Sequence, residues 1–377
     1  MYISTQDEFN AFCESISHAG VIAVDTEFLR EKTYYPKLCL IQVAVNDQVA
    51  AIDPILIGDL SPLADIFEDP CVTKVFHSCT QDLEVIYDGM DGCQCNPVFD
   101  TQLGAAFLRM RQQVSLAELV QTYCGVTLPK TESLTDWSQR PLDPEQLSYA
   151  EDDVRYLPGI YERMLDELVR LNRLWWIEPE MAELTNPTHF QRDPRDAYKH
   201  LRRSGSLTRK QLAVAREVCA WREQTAAQRD MPRRWVMSDE LVCEISKRSP
   251  TSVDRLRRIR GTEQISDHDA YEIVGAVRKG LNCPVSEYPE ISHRPHPSAE
   301  TEGVLDLMNA VVKIASESTG VASQLIATRD DLLDYLDDPA SSRLSQSWRY
   351  TVVGSTFEGL LSGKVGLTVK NGRVVFL

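Results

Sequence analysis

The sequence lacks the features that would place it in several other classes of protein. No apolar run approaches the roughly 20 residues that a membrane-spanning helix needs, so we expect no membrane association. The first residues, MYISTQDE, are polar and acidic and do not form a signal peptide, so we expect a cytoplasmic protein. The ten cysteines contain no CxxC pair, which argues against a zinc ribbon or a thioredoxin-type site and favours reduced thiols.

The charge of the chain is acidic overall but unevenly distributed. A net charge of −16 argues, taken alone, against a nucleic-acid partner. Residues 191–260, however, contain twice as many Lys and Arg as Asp and Glu. Such a basic stretch is most often a solvated helical surface, although it is also the type of surface that contacts phosphates. The 377 residues are too many for one small domain and indicate two or three.

Strand and helix patterns alternate along the first half of the chain. Apolar runs predict buried strands at residues 21–24, 38–45, 49–52 and 72–76. The Asn46-Asp47 pair between the second and third runs predicts a hairpin turn. Capping residues predict helix starts at Thr5, Ser115 and Asp143. Mixed strands and helices up to about residue 170 indicate an α/β domain.

The second half of the chain is predicted to be mainly helical. Residues 207–229 and 238–248 have helical patterns, and the proline-containing residues 286–300 indicate a linker. A last helical region is expected from about residue 303. At the C-terminus, Asn-Gly lies between alternating apolar residues and predicts a hairpin over residues 365–376, whose role the sequence does not reveal.

Acidic residues follow two of the predicted strands. Asp25 and Glu27 end the first strand and project from the same face, because strand side chains alternate. Two adjacent carboxylates resist joint ionisation unless a cation lies between them, but acidic pairs at strand ends are also common on surfaces. Asp82 lies in the first turn of the helix after residues 72–76, where a carboxylate also stabilises the helix dipole.

Tyr149 and Asp153 are four residues apart on the helix that begins after Asp143, so they share one helix face. They flank its apolar stripe and can therefore face a cleft beside the sheet. Asp152 is turned about 100° away by helix geometry and is predicted to lie on the surface. A lone Y-x-x-x-D is more often a pair on the helix surface. Whether this one belongs to a functional site depends on the other acidic residues.

The combination of these motifs resembles the DEDD superfamily of 3′–5′ exonucleases, in its tyrosine subclass. A D-x-E on a first strand, an Asp after a later strand and Y-x-x-x-D on a helix occur in that order within about 130 residues. The flanking segments resemble bacterial ribonuclease D: VDTEFLREKTYYPKLCLIQVA, FHSCTQDLEVI, FDTQLGAAFL, LPKTESLTDWSQRPL and LSYAEDDVRYL.

The resemblance implies a fold of the α/β + all-α class. An RNase H-like exonuclease domain with a mixed β-sheet flanked by helices is expected over residues 1–195. Two small helical bundles of the HRDC type are expected at residues 205–287 and 300–377, and the family arrangement is a ring or funnel that admits a single-stranded 3′ end. The residues that resemble HRDC are Leu207, Trp221-Arg222, Asp230, Pro232, Ser238-Asp239-Glu240, Pro250 and Leu256 to Gly261.

The resemblance also implies two divalent metal ions, Mg²⁺ or Mn²⁺, held by oxygen ligands. Asp25 is expected to bridge both ions, Glu27 and Asp153 to complete the site of the attacking water, and Asp82 to support the second ion. Tyr149 is expected to orient that water, because a phenol with a pKa near 10 is a poor base.

Further residues are candidates for contact with nucleic acid, each with a structural alternative. Phe28 could wedge against a terminal base or belong to the core, whereas Trp137 is more often core, and His77 more often satisfies a strand end. The remaining candidates are Lys130 in the cleft wall and, for phosphates, Arg202, Arg203, Arg209, Lys210, Arg257 and Arg258. A purely structural bundle is the alternative for the basic set.

Three functions remain to be compared. The expected one is removal of nucleotides from RNA 3′ ends, with tRNA precursors and small structured RNAs as partners and no obligate protein partner evident. The second is a 3′–5′ DNA exonuclease, which would use the same site, but the sequence contains no polymerase or helicase motifs. The third is a non-catalytic nucleic-acid-binding module, which the intact set of acidic residues disfavours.

Overall fold

The computed structural model of the chain describes residues 1–129, 135–290 and 297–377. The chain divides into two compact units. The large unit contains Met1–Phe28, Leu38–Asn186 and His296–Leu377, and the small unit contains Leu29–Lys37 and Pro187–Pro295. The N-terminal α/β region and the C-terminal segment therefore belong to one unit.

A six-stranded sheet forms the centre of the large unit. Its order is β1-β4-β3-β2-β5-β6. The strands are β1 (Tyr2–Ile3), β2 (Val21–Leu29), β3 (Lys37–Val45), β4 (Gln48–Ile52), β5 (Thr73–Phe76) and β6 (Val98–Asp100). β3 and β4 form the predicted hairpin, with Asn46 at a positive φ of 52° in its turn, whereas β5 runs parallel to both β2 and β6. The predicted mixed sheet is therefore confirmed, and β2 lies inside it.

Eight helices accompany this sheet in the part of the chain that the structure describes. They are α1 (Gln6–Ile16), α2 (Ser61–Glu68), α3 (Thr80–Gly89), α4 (Thr101–Phe107), α5 (Leu116–Cys124), α6 (Pro144–Arg155), α7 (Leu157–Arg170) and α8 (Leu174–Leu184). Thr5, Ser115 and Asp143 cap α1, α5 and α6 as predicted, because their oxygens accept backbone N–H groups that have no partner inside the helix. Gly125 ends α5 in the left-handed conformation that glycine adopts without steric cost.

The C-terminal segment adds further helices and a hairpin to the large unit. These are α14 (Ala299–Thr319), α15 (Ser323–Ile326), α16 (Arg329–Asp337), α17 (Ser347–Arg349), a π-helical turn (Tyr350–Gly354), α18 (Ser355–Leu361), β7 (Leu367–Lys370) and β8 (Arg373–Phe376). The hairpin is the one predicted from Asn371-Gly372, both of which have positive φ angles.

The C-terminal segment shares a hydrophobic core with the sheet and its helices. Trp348 is fully buried and stacks on Trp176 of α8 with ring centroids 5.3 Å apart. Arg349 and the Trp348 indole both donate to the Glu180 carboxylate of α8, with Arg349 Nη2 to Glu180 Oε2 at 2.9 Å. The segment is therefore an integral part of the large unit, and the expected second separate HRDC bundle stays a proposal.

The small unit is a helical bundle. Its helices are α9 (Arg209–Gln228), α10 (Arg233–Val236), α11 (Asp239–Arg248), α12 (Val253–Leu256) and α13 (Asp267–Leu281), with short 3₁₀ turns at Pro187–His189, Pro194–His200, Ser204–Ser206 and Val285–Glu287. α9 and α13 pack closely at Gly280, where an added Cβ would lie 2.5 Å from the Val214 Cα. Among the described residues, no helix is long and apolar enough to cross a bilayer.

Candidate active site

Three carboxylates from distant parts of the chain meet at the edge of β2. Asp25 and Glu27 lie within β2, which continues to Leu29 and does not end before them as the sequence predicted, and Asp153 lies on α6. One carboxylate oxygen from each residue lies within 4.8 Å of the others, which is the arrangement that holds a cation. All three side chains are partly exposed, so the group is accessible. The structure thus brings together three of the four acidic residues that the motifs predict to bind metal.

Asp82, the fourth predicted ligand, lies beside this group but is held differently. It is buried in the first turn of α3, and Thr26 Oγ1 donates to its Oδ1 at 2.6 Å. Thr26 lies between Asp25 and Glu27 in β2. Asp82 also lies close enough to Asp25 to add to the effect of burial in raising the pKa of Asp25. Spacing alone did not reveal the role of Thr26.

Asp100 holds the loop that leads into α3, the helix that carries Asp82. Its carboxylate accepts from the backbone N–H groups of Ser78 and Cys79 at 3.1 and 2.9 Å, immediately before α3. It also accepts from Gln102 N and Leu103 N, and therefore caps α4. One buried side chain thus fixes both the start of α3 and the start of α4.

The electrostatics of the site favour binding of positive charge. Burial, followed by repulsion from Asp82, Asp153 and Glu27, holds the pKa of Asp25 well above its usual range. Burial is also the main cause that raises the pKa of Glu27 to about 8, of Asp153 to about 7 and of Asp82 to about 6. Carboxylates in such surroundings resist simultaneous ionisation until a cation compensates their charge.

Tyr149 lies one helical turn before Asp153 on α6, and its hydroxyl donates a hydrogen bond to the Asp153 carboxylate. Burial, followed by the charges of Asp153, Glu27 and Asp25, raises the pKa of Tyr149 well above its usual value. The phenol therefore stays protonated at neutral pH. It can donate a hydrogen bond and fix the position of a ligand, but it is a poor proton acceptor.

A small cavity of about 240 Å³ lies next to Tyr149 and Asp153. Leu128 and Pro129 supply an apolar wall, whereas Ser148 and Asp152 from α6 supply polar groups. Asp152 also accepts from Arg155 at 3.3 Å, which agrees with its predicted place away from the three-carboxylate group. The cavity gives a ligand room beside the carboxylates.

The other predicted site residues of the N-terminal region do not belong to the three-carboxylate group. Trp137 is only 5% exposed, with its ring centroid 6.3 Å from that of Tyr149, so it supports the site from within the core and offers no free face for a base. His77 Nδ1 lies 2.9 Å from Thr101 Oγ1, the structural task expected for a strand-end histidine. Phe28 is half-buried at the end of β2. Lys130 lies outside the described residues.

The basic candidates of the small unit separate into two groups. Arg257 donates to Thr262 O at 2.6 Å and to Asp267 at 2.8 Å, and Arg209 donates to the backbone at Pro289 and Tyr288. These two guanidinium groups hydrogen-bond to other residues of the small unit, so the structure gives them a structural task, although Arg209 is also exposed. The other four candidates, Arg202, Arg203, Lys210 and Arg258, are exposed.

The ligand set of the three-carboxylate group fits divalent cations of the magnesium type. Its ligand atoms are all carboxylate oxygens, which Mg²⁺ and Mn²⁺ prefer, and His77 is occupied with Thr101. The raised pKa values of the carboxylates supply a second argument, since a bound cation removes the repulsion that causes part of each shift.

The raised pKa values predict how the stability of the metal-free protein depends on pH. A carboxyl group whose pKa is raised by folding stabilises the fold when protonated, and this contribution is lost as the pH rises through the folded value. We therefore expect the melting temperature in EDTA to fall between pH 5 and pH 8, and added Mg²⁺ or Mn²⁺ to restore it most at the high end. Thermal unfolding across this pH range measures both effects.

Glu27→Gln supplies the control for this prediction, because it removes the group whose pKa is raised to about 8. The variant should have a shallower pH dependence than the wild type above pH 6 and respond less to the metal. Superimposable curves for the two proteins would contradict the assignment of a repulsive carboxylate cluster.

Comparison with known proteins gives the class of this arrangement. Residues 1–169 match the family model described as 3′-5′ exonuclease, and residues 211–273 match the HRDC domain. The first match contains the whole carboxylate group and Tyr149. The large unit therefore carries the catalytic domain of a 3′–5′ exonuclease, and the small unit carries one HRDC domain.

Relatives of known activity match almost the whole chain. Ribonuclease D of Sphingobium indicum is 37% identical over 96% of this chain and 95% of its own length. Ribonuclease D of a Jannaschia species is 36% identical over 99% of this chain and 98% of its own length. The crystal structure of Escherichia coli RNase D, described as an exoribonuclease involved in structured RNA processing, superposes with a TM-score of 0.84 at 29% identity over 96% of this chain and 98% of that one.

The chain belongs to the ribonuclease D family. It is an enzyme, a 3′–5′ exoribonuclease, and its exonuclease domain is of the type that uses divalent metal ions. The alternatives of a DNA exonuclease and of a non-catalytic binding module are therefore set aside.

Proposed function

We propose that this enzyme removes nucleotides one at a time from the 3′ ends of structured RNAs that carry a single-stranded tail, tRNA precursors among them, and releases nucleoside 5′-monophosphates. The observation that carries the proposal is the convergence of Asp25, Glu27 and Asp153 within 4.8 Å, with Tyr149 bonded to Asp153. The description of the Escherichia coli relative as a processor of structured RNA supports the choice of substrate.

Two divalent cations, Mg²⁺ or Mn²⁺, are the proposed cofactors. Asp25, Glu27 and Asp153 would hold one of them, and Asp25 with Asp82 would hold the other, Asp82 through water. When bound, such ions neutralise phosphate charge and make a coordinated water more acidic. The hydrogen bond from Thr26 to Asp82 keeps the Asp82 carboxylate beside Asp25, so Thr26 is a positioning residue.

Tyr149 is proposed to orient the attacking water. Its hydroxyl stays protonated and already donates to Asp153, so it is fixed at the rim of the carboxylate group. The adjacent 240 Å³ cavity would accept part of the terminal nucleotide, with Leu128 and Pro129 against its apolar surface. Orientation of the reacting groups is a large part of what such a site contributes to the rate.

The helical parts of the chain are proposed to bind the body or tail of the RNA. We retain residues 205–287 as the limits of the HRDC domain and residues 300–377 as a second HRDC-like element, with residues 1–195 as the exonuclease domain. Arg202, Arg203, Lys210 and Arg258 are exposed and can contact phosphates. The expected cytoplasmic location stays a prediction.

The proposal is tested with a tRNA that carries a 3′ extension and a label at its 5′ end. With Mg²⁺ or Mn²⁺, the products should shorten one nucleotide at a time from the 3′ end and stop near the folded body, and EDTA should prevent all shortening. A single-stranded DNA of the same sequence as the extension is the matched control. Equal degradation of the DNA, or cleavage inside the tRNA, would refute the proposed substrate.

A further inference from the structure

An exposed tryptophan lies on the surface of the small unit. Trp235 on α10 is 64% exposed, an unusual position for a large aromatic side chain that normally buries most of its surface. Within the described part of the chain, its indole N–H has no hydrogen-bond partner. An exposed indole offers a flat face to a ligand, so its surroundings indicate what that ligand is.

Trp235 lines a cavity of about 690 Å³, a volume in the range of small-ligand sites. Two exposed arginines, Arg234 and Arg260, line the same cavity. Among the described residues, neither of them forms an ion pair or a hydrogen bond through its side chain. By contrast, Arg229 is paired with Asp269 in the cavity wall. Arg234 and Arg260 therefore share the cavity with an exposed aromatic ring and make no direct ion pair with any residue that the structure describes, while the carboxylates of Glu240 and Glu244 line the same cavity.

A buried arginine fixes the backbone that follows Trp235. Arg222 is buried, and its Nη1 donates to Met237 O at 3.2 Å and to Asp239 Oδ1 at 2.7 Å. These bonds fix the chain where it leaves α10 and enters α11. The backbone after Trp235 is therefore already ordered before a ligand binds, which lowers the entropy cost of binding.

The turn that carries Arg260 is also fixed by specific contacts. Arg257 donates to Thr262 O at 2.6 Å across the turn. Gly261 has a φ of +95°, a conformation that side-chain-bearing residues rarely adopt, so the turn after Arg260 depends on this glycine. Arg260 therefore projects from a defined loop and not from a loose one.

We propose that Trp235, Arg234 and Arg260 form a subsite for one nucleotide of a single-stranded RNA, with its base stacked on the indole and its flanking phosphates on the two guanidinium groups. Single-stranded RNA is bound by such a combination of aromatic platforms and cations. Glu240 lines the cavity as well and can accept from the amino groups of a base. The inference rests on the proposed function for the identity of the ligand, but it concerns binding and not catalysis.

Binding is measured with the full chain in EDTA, in an Asp25→Asn background that leaves the RNA intact, using a fluorescent single-stranded RNA oligonucleotide. Trp235→Ala should weaken binding by about 5- to 150-fold, the range for loss of one stacked base. Trp235→Phe should recover most of this loss, because a phenyl ring also stacks. Tyr271→Ala is the matched control, since Tyr271 is 69% exposed on α13 but lies outside the cavity.

An oligonucleotide with abasic riboses separates stacking from charge and needs no variant that could misfold. The wild-type binding site should bind the abasic oligomer more weakly than the intact one, and Trp235→Ala should add no further loss with the abasic oligomer. Equal affinity of the wild-type site for both oligomers would overturn the role of Trp235.

The salt dependence tests the two arginines. Arg234→Gln and Arg260→Gln should each make the slope of log K against log salt shallower by about 0.7, the value for one phosphate contact of a single strand. Trp235→Ala should leave this slope unchanged. Arg255→Gln, an exposed arginine outside the cavity, should change it less. Equal effects of Arg255 and Arg260 would indicate a diffuse basic surface and overturn the subsite.

Failure of the subsite and failure of the proposed function give different results. Hydrolysis of the same RNA is measured with Mg²⁺ in the protein that retains Asp25. Hydrolysis together with unchanged binding by Trp235→Ala refutes the subsite alone, whereas absence of hydrolysis refutes the proposed function.

Discussion

The Asp25→Asn variant is expected to lose hydrolysis of RNA while it remains folded. Asp25 is the carboxylate that faces all three other acidic groups of the site, and its pKa is raised by each of them. Removing its charge removes a ligand from the proposed cation sites. Because cations contribute several kcal/mol of charge stabilisation in such reactions, we expect the rate to fall on the order of 10³-fold or more.

A second readout separates this loss from misfolding. The neutral asparagine removes the repulsion between residue 25 and the three other carboxylates, so the metal-free variant should melt at a higher temperature than the metal-free wild type near pH 8. The stabilising effect of added Mg²⁺ should shrink at the same time. Near-normal hydrolysis by the variant would show that the site lies elsewhere.

The Tyr149→Phe variant is expected to bind RNA normally and to turn it over more slowly. The substitution removes one hydroxyl, and with it the hydrogen bond to Asp153, but keeps the ring beside Trp137. Loss of a positioned group that acts in the transition state costs roughly 10²–10⁴-fold in rate. Single-turnover measurement at saturating RNA separates the chemical step from binding.

Tyr156→Phe is the matched control for this experiment. Tyr156 is also a half-buried tyrosine, and it lies at the C-terminal end of the same helix, α6, outside the three-carboxylate group. Its variant should turn RNA over at the wild-type rate. An unchanged rate for Tyr149→Phe as well would remove the hydroxyl from the mechanism.

The catalytic carboxylates could be predicted from the sequence because local rules place them. Strand alternation puts Asp25 and Glu27 on one face, helix periodicity puts Tyr149 and Asp153 on one face, and the order of the motifs joins the two. The hydrogen bond between Thr26 and Asp82 could not be predicted, because it joins residues 56 positions apart across neighbouring elements. The hydrogen bonds from the backbone before α3 to Asp100 were hidden for the same reason.

The helical half shows where sequence patterns become insufficient. A run of arginines predicts a basic surface, yet Arg257 is turned into the bundle and Arg260 is turned out, although they are three residues apart. Composition likewise favours a buried tryptophan at position 235, whereas the structure exposes it. The apolar pattern of residues 300–377 predicts helices but does not reveal that α8 covers them. Each of these outcomes depends on tertiary neighbours that no local pattern records.

The core that the C-terminal segment shares with α8 determines what a truncating mutation would do. Trp348, Arg349 and Glu180 join the last helices to the fold that carries the acidic residues, and no proposed catalytic group lies beyond Asp153. A nonsense mutation late in the reading frame would still uncover the apolar side of α8. Loss of the tail should therefore resemble a null allele, degraded or aggregated in the cell, and not a merely shortened nuclease.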